Sequence, residues 1–444
     1  MRHVLAITLI AAGLLGCQEE PASAPQEERT WAPTWKQLNP LSVPRQGLAA
    51  VEVNGFIYAM GGALGTEFLS STEYAEIRPD GSLGRWQPGP PMHDARGYFD
   101  AVFYEGYIYV VGGGNGESGK NLLRSVERAR VQPDGTLSAW EREAHEMVMP
   151  RRCAKIVLID GSIYAVGGFG GDMLNSVEHT RIKPGGGTEE WLEEPERLTT
   201  MRYISGVKSV DGIVYVVGNH EQEKGASTRD VEWSTPVDEA GFGEWQPTSP
   251  LRVARYGLGV AVHGDNLYAI GGLDGPEFLD SIEVAHMLPD GGLGPWRMLE
   301  ARLSSKRAMM AIVAYKEWIY SLGGAGSDTV EYATFNEAGE IGSWLDSPEF
   351  ADFEAERAAA QAQLPLVGTV FKVMNASPYV YLQVQVTGSP GLIWLAGPEG
   401  EYERGDRVRF GEGAMMTNFF SKQLDMRFNR VLFVSELEKA EPQF

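Results

Sequence analysis

Apolar and polar residues alternate along this chain over short runs, and the runs recur. The clearest is an aromatic-containing apolar segment ending in glycine: IYAMGG (57–62), IYVVGG (108–113), IYAVGG (163–168), VYVVGN (214–219), LYAIGG (267–272) and IYSLGG (319–324). The first glycine of each falls at 61, 112, 167, 218, 271 and 323, giving intervals of 51, 55, 51, 53 and 52 residues. A constant period of this size marks a repeat architecture. Period-two runs bounded by glycine predict strands, and no helical period crosses the repeats.

Further pieces recur around each copy. An apolar strand lies upstream, as in GLAAVEV (47–53) and GLGVAVH (257–263). Downstream comes a third strand with Ser then Glu (Ser71–Glu73, Ser125–Glu127, Ser176–Glu178, Ser281–Glu283), then a Pro-Asp-Gly turn at Pro79–Gly81, Pro133–Gly135 and Pro289–Gly291. A tryptophan follows, at Trp86, Trp140, Trp191, Trp245, Trp296 and Trp344. Four strands per repeat predict one propeller blade. The paired glycines permit positive φ at the end of the second strand, and the tyrosines and tryptophans supply large wedges between blades. The double glycine with spaced Tyr and Trp resembles the Kelch repeat, over about residues 31–348. The resemblance implies an all-β fold, a six-bladed Kelch-type β-propeller, and says little about function. Blade four departs from it with Gly218-Asn219, which still tolerates left-handed φ. Trp35 precedes Trp86 by 51 residues, so either the Trp35 or the Trp344 strand closes the ring, or a partial seventh blade exists.

Residues 1–16 (MRHVLAITLIAAGLLG) have a basic start and an apolar stretch too short to span a bilayer. They end at Leu14-Leu15-Gly16-Cys17, which resembles the lipobox of bacterial lipoproteins. That resemblance implies signal-peptide cleavage, acylation of Cys17 and a membrane lipid anchor. A plain secretory signal with a chance cysteine is the alternative. Gln18, where an Asp would favour retention at the inner membrane, points to the cell envelope's outer membrane. Residues 17–30 are Pro-, Ala- and Glu-rich and predict a flexible tether. The other cysteine, Cys153, lies in an apolar run and reads as a small core residue, so no disulfide is expected.

Each repeat also offers an arginine just before its innermost strand: Arg45, Arg96, Arg152, Arg202, Arg255 and Arg307. At blade spacing these form a candidate ring at one mouth, able to grip a carboxylate or phosphate. The alternative is that they bond backbone carbonyls inside the repeat. The loops after the glycine pairs, 114–124, 169–175, 220–229 and 273–280, differ in length and chemistry, as binding loops on a rigid scaffold do.

Residues 349–363 turn to Ala and Glu and predict a helical linker over 349–365, which Pro365 ends. Strands return over 366–374, 379–386, 391–397, 406–410 and 430–437, which suits a small OB-like five-stranded β-barrel over 366–444. The stretches VMNASPYVYLQV, IWLAGP, GDRVRF and GAMMTNFFSKQLDMRFNRVLFV resemble a family of small secreted OB-like domains, with Ser421-Lys422-Gln423-Leu424 a mild departure. Alternation places Val380, Leu382, Val384 and Val386 on one face. Tyr379 and Tyr381 then face the other way, where Trp394 could join them in an aromatic platform. Packing is the competing use. Met374, Met415, Met416 and Met426 are weak candidates for copper(I).

The formal charge is −22 over 444 residues, which disfavours nucleic acid as a partner. The C-terminal 80 residues are no exception, with eight Lys or Arg against nine Asp or Glu over 365–444. The mature chain's six histidines are scattered, no metal-ligand spacing or nucleophile elbow stands out, and no cofactor is implied. Three functions follow: a cell-envelope binding scaffold for a protein or an acidic small-molecule or carbohydrate ligand; a sialic-acid-mutarotase-like or other carbohydrate-active Kelch enzyme; and a metal or redox accessory acting through the C-terminal domain.

Overall fold

A computed structural model describes residues 30–221, 226–236, 241–345, 366–377, 379–387, 392–411, 413–424, 426–434 and 437–440. The expected signal peptide over 1–16, almost all of the expected tether with Cys17, and the helical linker expected over 349–365 lie outside the described residues.

The repeats form six antiparallel sheets. Sheet one runs Ala49–Val53, Phe56–Met60, Thr72–Glu76 and Gln87–Gly89 from inside to outside. The innermost strands of the others are Asp100–Tyr104, Lys155–Ile159, Gly206–Val210, Gly259–His263 and Ala311–Tyr315. Each lies beside the inner strands of its two neighbours, and Ala311–Tyr315 lies beside Ala49–Val53, so the sheets form a ring around a channel. The chain is thus all-β in its described residues apart from one 3-10 turn, and the ring is a β-propeller.

Local chemistry makes each sheet. The inner two strands meet at tight turns such as Asn54-Gly55, with φ of 52° and 83°. Two successive positive φ values match the right-handed twist of a hairpin. The Pro-Asp-Gly turns close on their own aspartates: Asp80 Oδ1 accepts from the Ser82 amide at 2.9 Å and hydroxyl at 2.7 Å. These carboxylates serve the turn, as expected of Asp there.

The core sits between sheets. One cluster joins Tyr109, Val111 and Val126 of sheet two to Ile156, Ile163 and Trp191 of sheet three. Another joins Trp318, Tyr320 and Leu322 of sheet six to Ile57 and Ala59 of sheet one, which closes the wheel apolar face to apolar face.

Closure uses both ends of the repeat region. Lys36–Gln37, just after Trp35, pairs with Val330–Phe335 in the register Lys36↔Tyr332 and Gln37↔Glu331. Sheet one has the same register, Gln87↔Tyr74 and Pro88↔Glu73. The Trp35 segment is therefore the fourth strand of sheet six. Ile341–Trp344 continues the last hairpin and pairs with Trp31–Ala32, where Trp31 meets Trp344 edge-on at 4.8 Å.

The C-terminal residues form one sheet of seven strands, not five. Its order is Gly413–Ser421, Met426–Val434, Leu392–Pro398, Tyr379–Val386, Leu366–Ala376, Arg407–Phe410 and Leu437–Lys439. Gly413–Ser421 has no clean alternation, so its pattern hid a strand that pairs along its length with Met426–Val434. Both faces are covered. Val380, Leu382, Val384 and Val386 fill one core, and Tyr381, Ala396, Phe428 and Val431 fill the other.

Candidate functional site

Six arginines stand sixteen residues before the first glycine of each pair, and all do the same work. Nη1 of Arg45, Arg96, Arg151, Arg202, Arg255 and Arg307 donates to the carbonyl of Gly61, Gly112, Gly167, Gly218, Gly271 and Gly323, at 2.8–3.4 Å. Each guanidinium also pairs with the third-strand glutamate of its own sheet. The pairs are Arg45–Glu73 (2.8 Å), Arg96–Glu127 (2.6 Å), Arg151–Glu178, Arg202–Glu232 (2.5 Å), Arg255–Glu283 (2.7 Å) and Arg307–Glu331 (3.2 Å). The glutamates in turn accept backbone amides of the incoming loop, as Glu127 does from His93 and Asp94 and Glu283 from Arg252 and Val253. Burial pushes the guanidinium pKa down at Arg45, Arg96, Arg151, Arg255 and Arg307, and the glutamate opposes it.

This corrects the candidate ring in two ways. Arg45, Arg96, Arg202, Arg255 and Arg307 are buried to 2% exposure or less and are committed inside their sheets. Their charges are unavailable to a ligand at the mouth. The third member of the series is Arg151, and Arg152 is not part of it.

Arg152 is instead the one arginine among these that opens on the mouth. It bridges to Phe169 in the loop after the third glycine pair, and its guanidinium lies 5.1 Å from that ring's centre. Nη1 donates to the carbonyls of Ser118 (3.1 Å) and Gly119 (3.0 Å), and Nη2 to the Tyr203 hydroxyl (3.3 Å). Nε is buried and without a hydrogen-bond partner among the described residues, as it is in Arg45, Arg96, Arg151, Arg255 and Arg307, which leaves the second N–H of Nη2 as the free donor. A half-exposed guanidinium of this kind keeps donor capacity for a carboxylate.

Aromatic groups continue around the mouth from Arg152. Phe169 meets Tyr203 at 5.6 Å, Tyr203 meets His220 edge-on at 6.0 Å, and His220 meets Tyr256 edge-on at 4.6 Å. On the other side Tyr98 accepts from Gln46 Nε2 at 3.0 Å and meets Phe68 at 6.3 Å. All are half-buried. Burial pushes the Tyr203 phenol up to about 12 and holds His220 below its ordinary value, so His220 is neutral at pH 7.

The backbone beneath is rigid. Gly47, Tyr98, Cys153, Ile204, Gly257 and Met309, two residues past each repeat arginine, have φ of 61°, 56°, 56°, 60°, 61° and 58°. Their amides link sheet to sheet: Gly47 donates to Met309, Tyr98 to Gly47, Cys153 to Tyr98, Gly257 to Ile204 and Met309 to Gly257, at 2.6–2.9 Å. Left-handed φ at a β-branched residue such as Ile204 is a genuine outlier, held because its neighbours over-determine it. Cys153 is a free thiol here, and burial pushes its pKa up to about 12.

The remaining candidates are divided. Tyr381 is 3% exposed and stacks on Phe428 at 5.1 Å, and Trp394 meets the same ring edge-on at 5.1 Å. Tyr379 is 43% exposed. The expected aromatic platform is therefore corrected: two of its three members pack a second core, because Phe428 of the strand Met426–Val434 packs against both. Met374 and Met426 pack against that core, while Met416 is exposed. Among the described residues no group of three His, Cys, Asp or Glu could hold a metal ion. The C-terminal sheet touches the mouth face of sheet one through an ion pair between Arg404 and Glu67.

Phe169 and His220 lie in the expected binding loops 169–175 and 220–229, while Arg152, Tyr203 and Tyr256 escaped the sequence as mouth residues because their position does not repeat in chemistry. The available signal was the position after each repeat arginine, occupied by Gln46, Gly97, Arg152, Tyr203, Tyr256 and Ala308.

Known proteins resemble the chain in its repeats. The Kelch motif family matches residues 95–128 and 254–284. Beta-scruin of Limulus polyphemus is 26% identical over 33% of this chain and 16% of its own length. Kelch-like protein 41a of Danio rerio is 28% identical over 40% of this chain and 28% of its own. The influenza virus NS1A-binding protein homolog of Mus musculus is 35% identical over 19% and 12%. The chain thus spans well under half the length of these curated relatives. The solved structure of YjhT superposes with a TM-score of 0.54 at 15% identity, over 68% of this chain and 98% of that one, a likeness of fold.

Proposed function

We propose, from the premise that this is a Kelch-repeat protein, that it is a binding scaffold whose propeller mouth takes an acidic group presented by a partner protein at the cell envelope. The observation that carries this is Arg152: it is partly exposed, its Nη2 keeps one N–H uncommitted, and Phe169, Tyr203, His220 and Tyr256 continue from it around a hydrogen-bonded rim. Aromatic residues and arginine are the side chains that anchor protein interfaces. A rigid rim lowers the entropy lost on binding. The relatives fit this use, one of them being named for binding a viral protein.

In this reading the six sheets are a complete six-bladed Kelch propeller, closed by the Trp35 strand, and the C-terminal sheet is a small OB-like domain. Cys17 carries the lipid, residues 17–30 form the tether, and the body stands off the membrane. Each buried lipid CH₂ contributes about 0.8 kcal/mol, so two or more chains hold the protein firmly.

A carbohydrate-active, sialic-acid-mutarotase-like role is the second reading. Its support is the same pairing of Arg152 with aromatic faces, which also suits an acidic sugar. Envelope crosslinking and pull-down with the lipidated protein test the first reading. Arg152→Gln should lose the captured partner while Lys306→Gln keeps it. Equal capture by both variants would exclude the mouth.

A further inference from the structure

The channel inside the ring has a volume of about 400 Å³ and is lined by the inner strands of all six sheets. Its walls differ. Glu52, Asp100, Lys155 and Lys208 face it from the first four sheets, while the last two bring apolar residues such as Val260, Met310 and Ile312.

Three of the four charged groups have partners. Asp100 pairs with Lys155 at 3.7 Å and accepts from the Ile156 amide at 3.2 Å. Glu52 accepts from the Gly55 amide at 2.7 Å. Lys208 has neither an ion pair nor a hydrogen bond among the described residues. Its side chain is open to the channel yet surrounded by protein. Glycine lets the inner strands close up around the channel: a Cβ at Gly206 would stand 2.2 Å from Val260, and one at Gly259 2.0 Å from Ile312.

We propose that the channel holds a small organic carboxylate, its anionic end on Lys208 and its hydrocarbon end on the apolar wall of Val260 and Ile312. An ammonium that faces a protein-walled channel with no counter-ion of its own is a ready partner for an anion. Burial pulls the Lys208 pKa down. Asp100 opposes this, but it is already engaged by Lys155, which adds to the lowering. Lys155, three residues beyond Arg152, continues the line of positive charge from the mouth. The neighbouring apolar wall explains why the ligand is amphipathic: a bare inorganic anion would leave that surface wetted and unused. The inference stands on the channel alone and does not depend on a protein partner at the mouth.

The test uses the protein with ¹³C-labelled lysine, read by NMR, with butyrate as probe and butyramide as its uncharged twin. The Lys208 signal, identified by its loss in Lys208→Met, should titrate below the other lysines. Butyrate should move it saturably and raise its titration point, while butyramide and equal sodium chloride leave it in place. Lys208→Met should weaken butyrate binding by roughly tenfold or more, the loss of one charged hydrogen bond. Lys208→Arg, which keeps the charge if the Met variant folds poorly, should retain it. Lys306→Gln should leave the response unchanged. A Lys208 signal blind to butyrate, a response that chloride reproduces, or undiminished binding in a folded Lys208→Met protein would overturn the proposal.

Discussion

The phenol of Tyr320 donates to the carbonyl of Gly81 at 2.7 Å, across 239 residues of chain, and ties the sixth sheet to the first. The same bond joins earlier neighbours, from Tyr58 to Gly135 at 2.7 Å, Tyr215 to Gly291 at 2.9 Å and Tyr268 to Gly339 at 3.0 Å. The repeat tyrosine is therefore a wedge with a polar tip that reads the next sheet's turn. Tyr320→Phe should lower stability by about 1–2 kcal/mol, since it strands a buried carbonyl. Denaturant unfolding would show it, and Tyr58→Phe should match it, because closure uses the same contact as the steps from sheet one to two, four to five and five to six.

The buried arginines and Arg152 make opposite predictions. Arg255→Met leaves the Glu283 carboxylate buried and unpaired, and should destabilise by about 3–5 kcal/mol. Adding Glu283→Met should recover much of that loss. Arg152→Gln keeps a polar side chain on a half-exposed rim and should change stability by under about 1 kcal/mol. Equal, large losses at both positions would place Arg152 back among the structural arginines.

Alkaline titration gives a third check. Burial pushes the phenols of Tyr109, Tyr203, Tyr215 and Tyr268 up to about 12. An unfolded tyrosine ionises near about 10, so above that pH the unfolded chain has released protons that the native chain still holds. Stability is therefore whole below pH 10 and falls as pH rises towards 12. Tyrosinate absorbance should show a group of phenols that ionise only as the ring unfolds.

The repeat was almost fully legible because strand period, glycine pairs and Pro-Asp-Gly turns are local signals. The roles of the arginines were legible too, had the Ser-x-Glu of the third strand been joined to them: Ser71 and Glu73 both accept from Arg45, and Ser125 and Glu127 from Arg96. The tandem Arg151-Arg152 hid which of the two held the series, and only the constant spacing of sixteen residues to the glycine decides it. Tyr381 was placed on the correct face, but its burial depends on Phe428, contributed by a strand distant in sequence. The mouth was legible in part: Phe169 and His220 lie in two of the loops expected to bind, 169–175 and 220–229, but their contacts with Tyr203 and Tyr256 arise only in three dimensions.

The anchor is open to a direct check. Cys17→Ser should abolish incorporation of labelled palmitate and move the protein from the membrane fraction to the soluble one. Unchanged fractionation with no label in either form would leave the leader a plain secretory signal.

The central claim, that the mouth is the recognition surface, is tested most directly by site-specific photo-crosslinking in intact envelopes. A photoreactive residue is placed at His220 on the mouth or at Asp134 in a turn on the opposite face. The account predicts a discrete partner adduct from position 220, lost with Arg152→Gln, and none from 134. An adduct from 134 alone, or one at 220 indifferent to Arg152, would contradict it.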